Sequence, residues 1–190
     1  EGSLQTKLKA WVQERPHQLF LLILLLALAL RLYYLNVNAA VWWDEADYLA
    51  SAKHWFFDVP YNYNPQRGVL FPLLIGILFK LGFNETVTKF FVVLLPSLSI
   101  VALTYFIGKE MYSKSVGLIA SALMSTFWVS LFWTARFSND FLALFFQLAA
   151  IYCFWKGVVK KESKYYTWLF GFFLALGFLT RAGIPSFSTM

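Results

Sequence analysis

The chain alternates long apolar runs with short polar turns. Five runs approach or exceed the roughly 18 to 20 residues that a helix needs to cross a hydrocarbon core about 30 Å thick. The pattern therefore predicts an all-α integral membrane protein with about five transmembrane helices. These candidate spans lie at residues 17–36, 88–108, 117–136, 141–156 and 166–180.

A sixth apolar run, GVLFPLLIGILFKLGF at residues 68–83, is shorter. It has Pro72 near its start and Lys80 near its end, and this favours a helix at the membrane surface over a span. The positive charges favour the same interpretation, because short cytoplasmic loops collect Lys and Arg. Without a sixth span, three basic segments share one side of the membrane: the N-terminus with Lys7, Lys9 and Arg15, the turn with Lys109 and Lys114, and residues 156–164.

This topology predicts a cytoplasmic N-terminus and an extracytoplasmic first loop at residues 37–87, which carries juxtamembrane helices. The FSND turn at residues 137–140 then faces the same compartment as that loop. We expect residues 1–190 to form a single transmembrane module of a multi-pass protein in the plasma membrane or the endoplasmic reticulum. Because the chain stops at IPSFSTM just after the fifth run, we also expect a truncated module.

The composition agrees with a lipid environment. Hydrophobic residues make up 59% of the chain and charged residues only 14%, whereas about 25% is charged in soluble domains. The net charge of +6 does not predict a nucleic-acid partner, because the basic residues lie in short clusters at the ends of apolar runs. Cys153 is the only cysteine, which excludes an intrachain disulfide.

Three acids on the predicted outer face are candidates for chemistry. Asp44 and Glu45 follow the first span and begin a segment with helical spacing, where they could cap the helix or act as a general base. Asp140 lies in a short turn between two spans, and a carboxylate near the bilayer is costly unless it is solvated or paired. Arg136, one helical turn earlier, is a candidate partner of Asp140 or a ligand of phosphate.

Two further arginines, Arg67 and Arg181, are predicted on the outer side, against the positive-inside trend. Each could pair with a lipid headgroup or bind a substrate phosphate through its guanidinium. Carboxylates also suit Mg²⁺ or Mn²⁺, so a metal at Asp44, Glu45 and Asp140 is possible, although no spacing requires one and the cofactor stays unknown. The sequence has no Walker loop, dinucleotide fingerprint or HExxH motif.

An ordered series of motifs resembles the class C membrane glycosyltransferases, in particular the branch of protein O-mannosyltransferases and of aminoarabinose transferases that modify lipid A. The matching segments cover most of residues 41–183. They are WWDEADYLASA, RGVLFPLLIGILFKLGF, LLPSLSIVALTYFIGKEMYSKSVGLIASALM, ARFSNDFLALFF and FLALGFLTRAG.

The resemblance implies that Asp44 is the catalytic base with Glu45 beside it, that Asp140 is the acid of the second outer loop, and that Arg67 is the basic residue before a juxtamembrane helix. Many relatives have KPP or RPP there, where this chain has Arg67, Gly68 and Val69. The implied reaction moves a sugar from a polyprenyl-phosphate donor to an acceptor hydroxyl, usually with inversion.

Two other functions fit the sequence. A membrane binding or assembly subunit without chemistry would use the acids only as helix caps. A transporter of lipid-linked sugars would need polar residues deep within several spans, and the predicted spans are almost uniformly apolar. The acceptor, which could be a protein, a lipid or a glycan, is not specified by any motif.

Overall fold

The structure, a computed structural model, describes residues 15–35, 37, 41–61 and 67–181. In these ranges the chain forms helices joined by short turns, which confirms the all-α prediction. The helices are α1 (Pro16–Tyr34), α2 (Trp43–Phe57), α3 (Leu70–Lys80), α4 (Glu85–Met111), α5 (Lys114–Thr126), α6 (Trp128–Thr134), α7 (Asp140–Val159) and α8 (Lys164–Thr180). The basic residues Lys7 and Lys9 and the IPSFSTM segment lie outside the described residues.

Among the described helices, α1, α4 and α7 are long and apolar enough to cross a membrane, and the bent pair α5 and α6 makes a fourth if it counts as one span. The predicted fifth span also forms a helix, but α8 has 17 residues and reaches only about 25 Å at 1.5 Å per residue. The described helices therefore include three to four candidate spans by length and composition, and the count of about five stays a prediction. The short helix α3 has 11 residues and is about half as long as a span requires.

The long helices pack side by side in the order α1, α5, α4, α7 and α8, while α2 and α3 pack on each other. A buried apolar cluster joins these short helices to the long ones, and it includes Tyr48 and Ala52 of α2, Phe71 and Ile75 of α3, and Phe141 of α7. Outside this core the helices present apolar side chains to their surroundings: Leu21 and Leu22 of α1 are 57% and 59% exposed. Such a surface suits lipid rather than water.

Helix α4 contains a π-helical turn at Phe90–Leu94, which ends two residues before Pro96. Proline has no N–H and its ring crowds the carbonyl four residues earlier, so a wider turn relieves the conflict without ending the helix. The helix therefore continues for 27 residues.

Because successive long helices alternate in direction, the polar turns gather at two ends of the bundle. One end, called here the site end, holds α2, α3, the start of α4, the turn at residues 135–139 and the end of α8. The other, called the lysine end, holds the turns after α4 and α7, which are joined by ion pairs from Lys156 and Lys160 to Glu110. The chain thus brings every predicted site residue to one end.

Candidate active site

Glu45 connects α2 to the turn between α6 and α7. It lies in the first turn of α2, and its carboxylate accepts hydrogen bonds from the Trp42 N–H at 2.9 Å and the Phe137 N–H at 2.7 Å. It also pairs with Arg136, with Glu45 Oε2 lying 3.3 Å from Arg136 Nη1. The helix begins after Trp42, so Asp44 does not have the capping role that was one alternative for it: Glu45 is the acid that returns to the cap backbone.

Arg136 is buried at the base of the site end, with only 2% of its surface exposed. Its guanidinium carbon lies 3.7 Å from the centre of the Trp42 ring and 5.3 Å from that of Phe132, a cation–π arrangement that stabilises a desolvated charge. Arg136 is therefore not the partner of Asp140, as its position one turn earlier had suggested. Its charge is matched by Glu45, which comes from a segment 91 residues away in the chain.

Asp44 points out of the same helical turn, and its side chain is 69% exposed. Its carboxylate lies 2.6 Å from Arg67 Nη2, while Arg67 Nε lies 2.8 Å from Asp47 of the next turn. The guanidinium thus bridges two carboxylates of α2. Asp47 was not selected from the sequence, although its spacing of three residues from Asp44 places both acids on one helical face.

Two tyrosines also lie near the Arg67 guanidinium and its carboxylate partners. Tyr48 accepts a hydrogen bond from Arg67 Nη1 at 3.4 Å, and its ring lies beneath the guanidinium. Burial raises the pKa of the Tyr48 phenol. The hydroxyl of Tyr61 donates to Asp47, and this hydrogen bond raises the pKa of Tyr61, since losing its proton would place two anions together. Both phenols therefore keep their protons at neutral pH.

Arg67 keeps its charge in this environment. Burial opposes the charged form, but hydrogen bonds to Asp44 and Tyr48 outweigh that effect and raise the pKa of Arg67 above its ordinary value. A quarter of its side chain stays exposed. The residue therefore presents a permanent positive charge at the surface of the site end.

A second arginine–carboxylate pair lies beside the first. Asp140, the first residue of α7, pairs with Arg181, which follows the end of α8. The Ser138 hydroxyl donates to the other oxygen of Asp140 at 2.8 Å. Both members of the pair are about half exposed, at 45% for Asp140 and 54% for Arg181. The sequence had named both residues but had not paired them.

The backbone at Thr180 brings the two pairs together. The Asn139 amide donates to the Thr180 carbonyl oxygen at 3.0 Å, and Gly68 packs against the same oxygen. A Cβ atom added to Gly68 would lie 2.2 Å from it, closer than any van der Waals contact. Because Gly68, Asn139 and Thr180 are the chain neighbours of Arg67, Asp140 and Arg181, this contact sets the two arginines side by side.

The positions of Asp44, Glu45 and Asp140 do not support the suggested metal site. In the part of the chain that the structure describes, no group of three or more His, Cys, Asp and Glu side chains could hold a metal ion. Glu45 is buried against Arg136, whereas Asp44 and Asp140 each face an arginine. The three acids suggested as metal ligands therefore have separate cationic partners.

Comparison with known proteins agrees with the membrane character and the resemblance. A family model described as dolichyl-phosphate-mannose-protein mannosyltransferase matches residues 66–185. The match includes Arg67, Arg136, Asp140 and Arg181, while Asp44 and Glu45 precede it. No curated protein and no solved structure is significantly similar to the chain.

The helices and their apolar surfaces define an integral membrane protein, and the family model defines its class as a membrane glycosyltransferase of the mannosyltransferase kind. Since the match covers more than half of the 190 residues, the chain belongs to the dolichyl-phosphate-mannose-protein mannosyltransferase family. The family that the sequence motifs had predicted is thereby confirmed.

Proposed function

We propose that this chain forms the donor-binding and catalytic face of a glycosyltransferase that moves a sugar from a polyprenyl-phosphate donor to an acceptor hydroxyl. The observation that carries the proposal is the meeting of the Asp44–Arg67 and Asp140–Arg181 pairs at Thr180. Two exposed guanidinium groups beside two carboxylates match the needs of a displacement at a sugar phosphate. The family name supports a dolichyl-phosphate sugar as the donor, with mannose as the first candidate.

The arginines are assigned to the donor phosphate. Guanidinium forms bidentate contacts with phosphate oxygens, and both Arg67 and Arg181 are partly exposed. When the bond between the sugar and the phosphate breaks, the phosphate changes from a diester with one negative charge to a monoester with two. Cations held beside it stabilise that developing charge.

Asp44 is assigned as the general base. The acceptor oxygen attacks the anomeric carbon, its proton passes to the Asp44 carboxylate, and the bonding electron pair of the breaking bond leaves with the polyprenyl phosphate. Attack from the face opposite the leaving group inverts the anomeric carbon. Binding of the donor phosphate to Arg67 would draw this arginine from Asp44 and free the carboxylate for the acceptor.

The other acids and arginines support these groups. Asp140 holds Arg181 and can accept a hydrogen bond from a sugar hydroxyl. Glu45 and Arg136 are assigned a positioning role, because both side chains are buried and pair with each other. The short basic turns of the lysine end support a cytoplasmic location for that end. The reaction would then take place on the extracytoplasmic face, with the donor tail in the bilayer.

The test compares Asp44→Asn with Asp58→Asn in the purified full-length protein in liposomes, using radiolabelled polyprenyl-phosphate mannose and other polyprenyl-phosphate sugars. Asp58 is an exposed acid at the opposite end of α2, so its variant is a matched control for loss of one charge. We expect Asp44→Asn to lower transfer or donor hydrolysis by about 10²- to 10⁴-fold, the usual contribution of a general base, with donor binding retained.

Equal activity in the two variants would remove Asp44 from the chemistry. Absence of donor binding by the wild type across the whole panel would instead favour the binding or assembly subunit.

A further inference from the structure

A buried arginine of α1 lies at the centre of a hydrogen-bond network between the long helices. Arg31 is 0% exposed. Its Nε donates to Ser97 Oγ of α4 at 2.7 Å, Nη1 donates to the carbonyl oxygens of Ala27 and Ser125 at 3.2 Å, and Nη2 donates to Ser130 Oγ at 3.2 Å. All four acceptors are uncharged oxygens. An ionisable group held this way within a membrane bundle is costly, and this cost favours a function.

The network holds a break in the helix pair α5 and α6. The two helices meet at Phe127, whose backbone is extended, and their axes differ by 49°. A break leaves carbonyl oxygens in the last turn of the first helix without intrahelical donors. Arg31 donates to Ser125 before the break and to Ser130 after it. No Pro or Gly lies at the break. Side-chain groups that enter the hydrogen-bond ladder bend helices, and besides Arg31 the hydroxyls of Ser125 and Thr126 donate to the Ala122 carbonyl.

The broken helix leads directly into the candidate active site. Helix α6 ends at Thr134, and the following turn presents Arg136 and the Phe137 N–H to the Glu45 carboxylate. Glu45 in turn closes the first turn of α2, which carries Asp44. A continuous series of polar contacts and short backbone segments thus connects Arg31 to Asp44.

We propose that Arg31 is a positioning residue for the transfer reaction: it fixes the angle between α5 and α6 and so sets the place of Glu45 and Asp44. The inference rests on the proposed function. Lysine at this position would keep the charge, but its ammonium carries all three donors on one nitrogen. It cannot reach acceptors on three other helices as the wider fork of a guanidinium does.

The first experiment measures the kinetics of Arg31→Lys, with Arg15→Lys as the matched control. Arg15 directly precedes the other end of α1 and is exposed. We expect Arg31→Lys to lower kcat by roughly 10- to 100-fold, as displacement of a catalytic group by about 1 Å does, with the KM for the donor nearly unchanged. In an Asp44→Asn background, Arg31→Lys should cause no further loss, since its effect passes through Asp44.

The second experiment measures geometry without activity. Spin labels at Trp43→Cys and Trp128→Cys, both at exposed positions, report the distance between α2 and α6 in a Cys153→Ala background. We expect the distance distribution to shift or broaden in Arg31→Lys and to stay unchanged in Arg15→Lys. Ser130→Ala removes only the acceptor on α6, and we expect it to shift or broaden the same distance distribution. It replaces Arg31→Lys in this experiment if Arg31→Lys does not fold.

An unchanged distance together with an unchanged kcat in Arg31→Lys would overturn the proposal, as would a loss that adds fully to that of Asp44→Asn. A wild type that transfers no sugar from any donor would reject the proposed function instead. The spin-label distances would still decide whether Arg31 positions α6 against α2.

Discussion

Asp44 and Glu45 are neighbours in sequence but have opposite surroundings. Successive residues of a helix point about 100° apart, so Glu45 faces the buried turn with Arg136 while Asp44 faces the surface and Arg67. The sequence identified both acids as candidates for chemistry. It could not separate their roles, because the donors that surround Glu45 come from a turn more than 90 residues later.

This difference predicts that two conservative substitutions lower the stability by unequal amounts. Glu45→Gln leaves the buried charge of Arg136 without its counter-charge, and we expect a loss of about 3–5 kcal/mol of unfolding free energy, as for other broken buried pairs. Asp44→Asn breaks an exposed pair, for which about 0–1 kcal/mol is typical. Thermal unfolding of the two variants in one detergent checks the prediction. Similar melting temperatures for both would contradict the positioning role of Glu45.

At the scale of helices, the apolar runs predicted the positions of the helices better than their ends and breaks. The run at residues 117–136 looks continuous because no Pro or Gly interrupts it, yet the structure breaks it at Phe127. The guanidinium of Arg31, which lies about 100 residues earlier in the chain, donates to residues on both sides of this break. The structure confirms a short helix at α3, because its length is a local property, while its place at the membrane surface stays a prediction.

A further prediction follows from the contact between Gly68, just before α3, and Thr180 at the end of α8. Gly68→Ala would place a methyl group against the Thr180 carbonyl, so the backbone must move and Arg67 with it. We expect a stability loss of about 1–3 kcal/mol, as for other overpacked sites, and weaker donor binding. Gly171→Ala in α8 is the control, because a Cβ there meets nothing within 4 Å.

Donor titration and thermal unfolding of the two glycine variants test the predicted losses of donor affinity and stability. Wild-type stability and donor affinity in Gly68→Ala would show that the junction at Thr180 tolerates a side chain. Such a result would mean that this junction does not set the position of Arg67.

At the scale of the whole molecule, the candidate site and the basic turns at residues 109–114 and 156–164 lie at opposite ends of the bundle. The acids and arginines of the candidate site lie where α2, α3 and the turn before α7 meet, whereas Lys109, Lys114, Lys156 and Lys160 lie at the lysine end. Short basic turns are retained in the cytoplasm. We therefore expect the two ends of α4 to be on opposite sides of the membrane.

Cysteine labelling tests this orientation. Glu85→Cys and Lys114→Cys, each in a Cys153→Ala background, place one thiol at the start of α4 and another just after its end, both at exposed positions. In intact cells or sealed vesicles of known orientation, a membrane-impermeant maleimide should label Glu85→Cys from outside and Lys114→Cys only after permeabilisation. Labelling of both thiols from one side would contradict the predicted topology.

The sequence by itself determined the properties that depend on local composition: membrane character, the positions of most helices, the short helix α3, and the family, which rests on an ordered series of motifs. The tertiary structure decided which charges are partners. Pairs such as Asp44 with Arg67, Asp140 with Arg181 and Glu45 with Arg136 join distant segments. Their formation depends on how helices cross and where they break, and the crossing geometry arises only when side chains from several helices pack together.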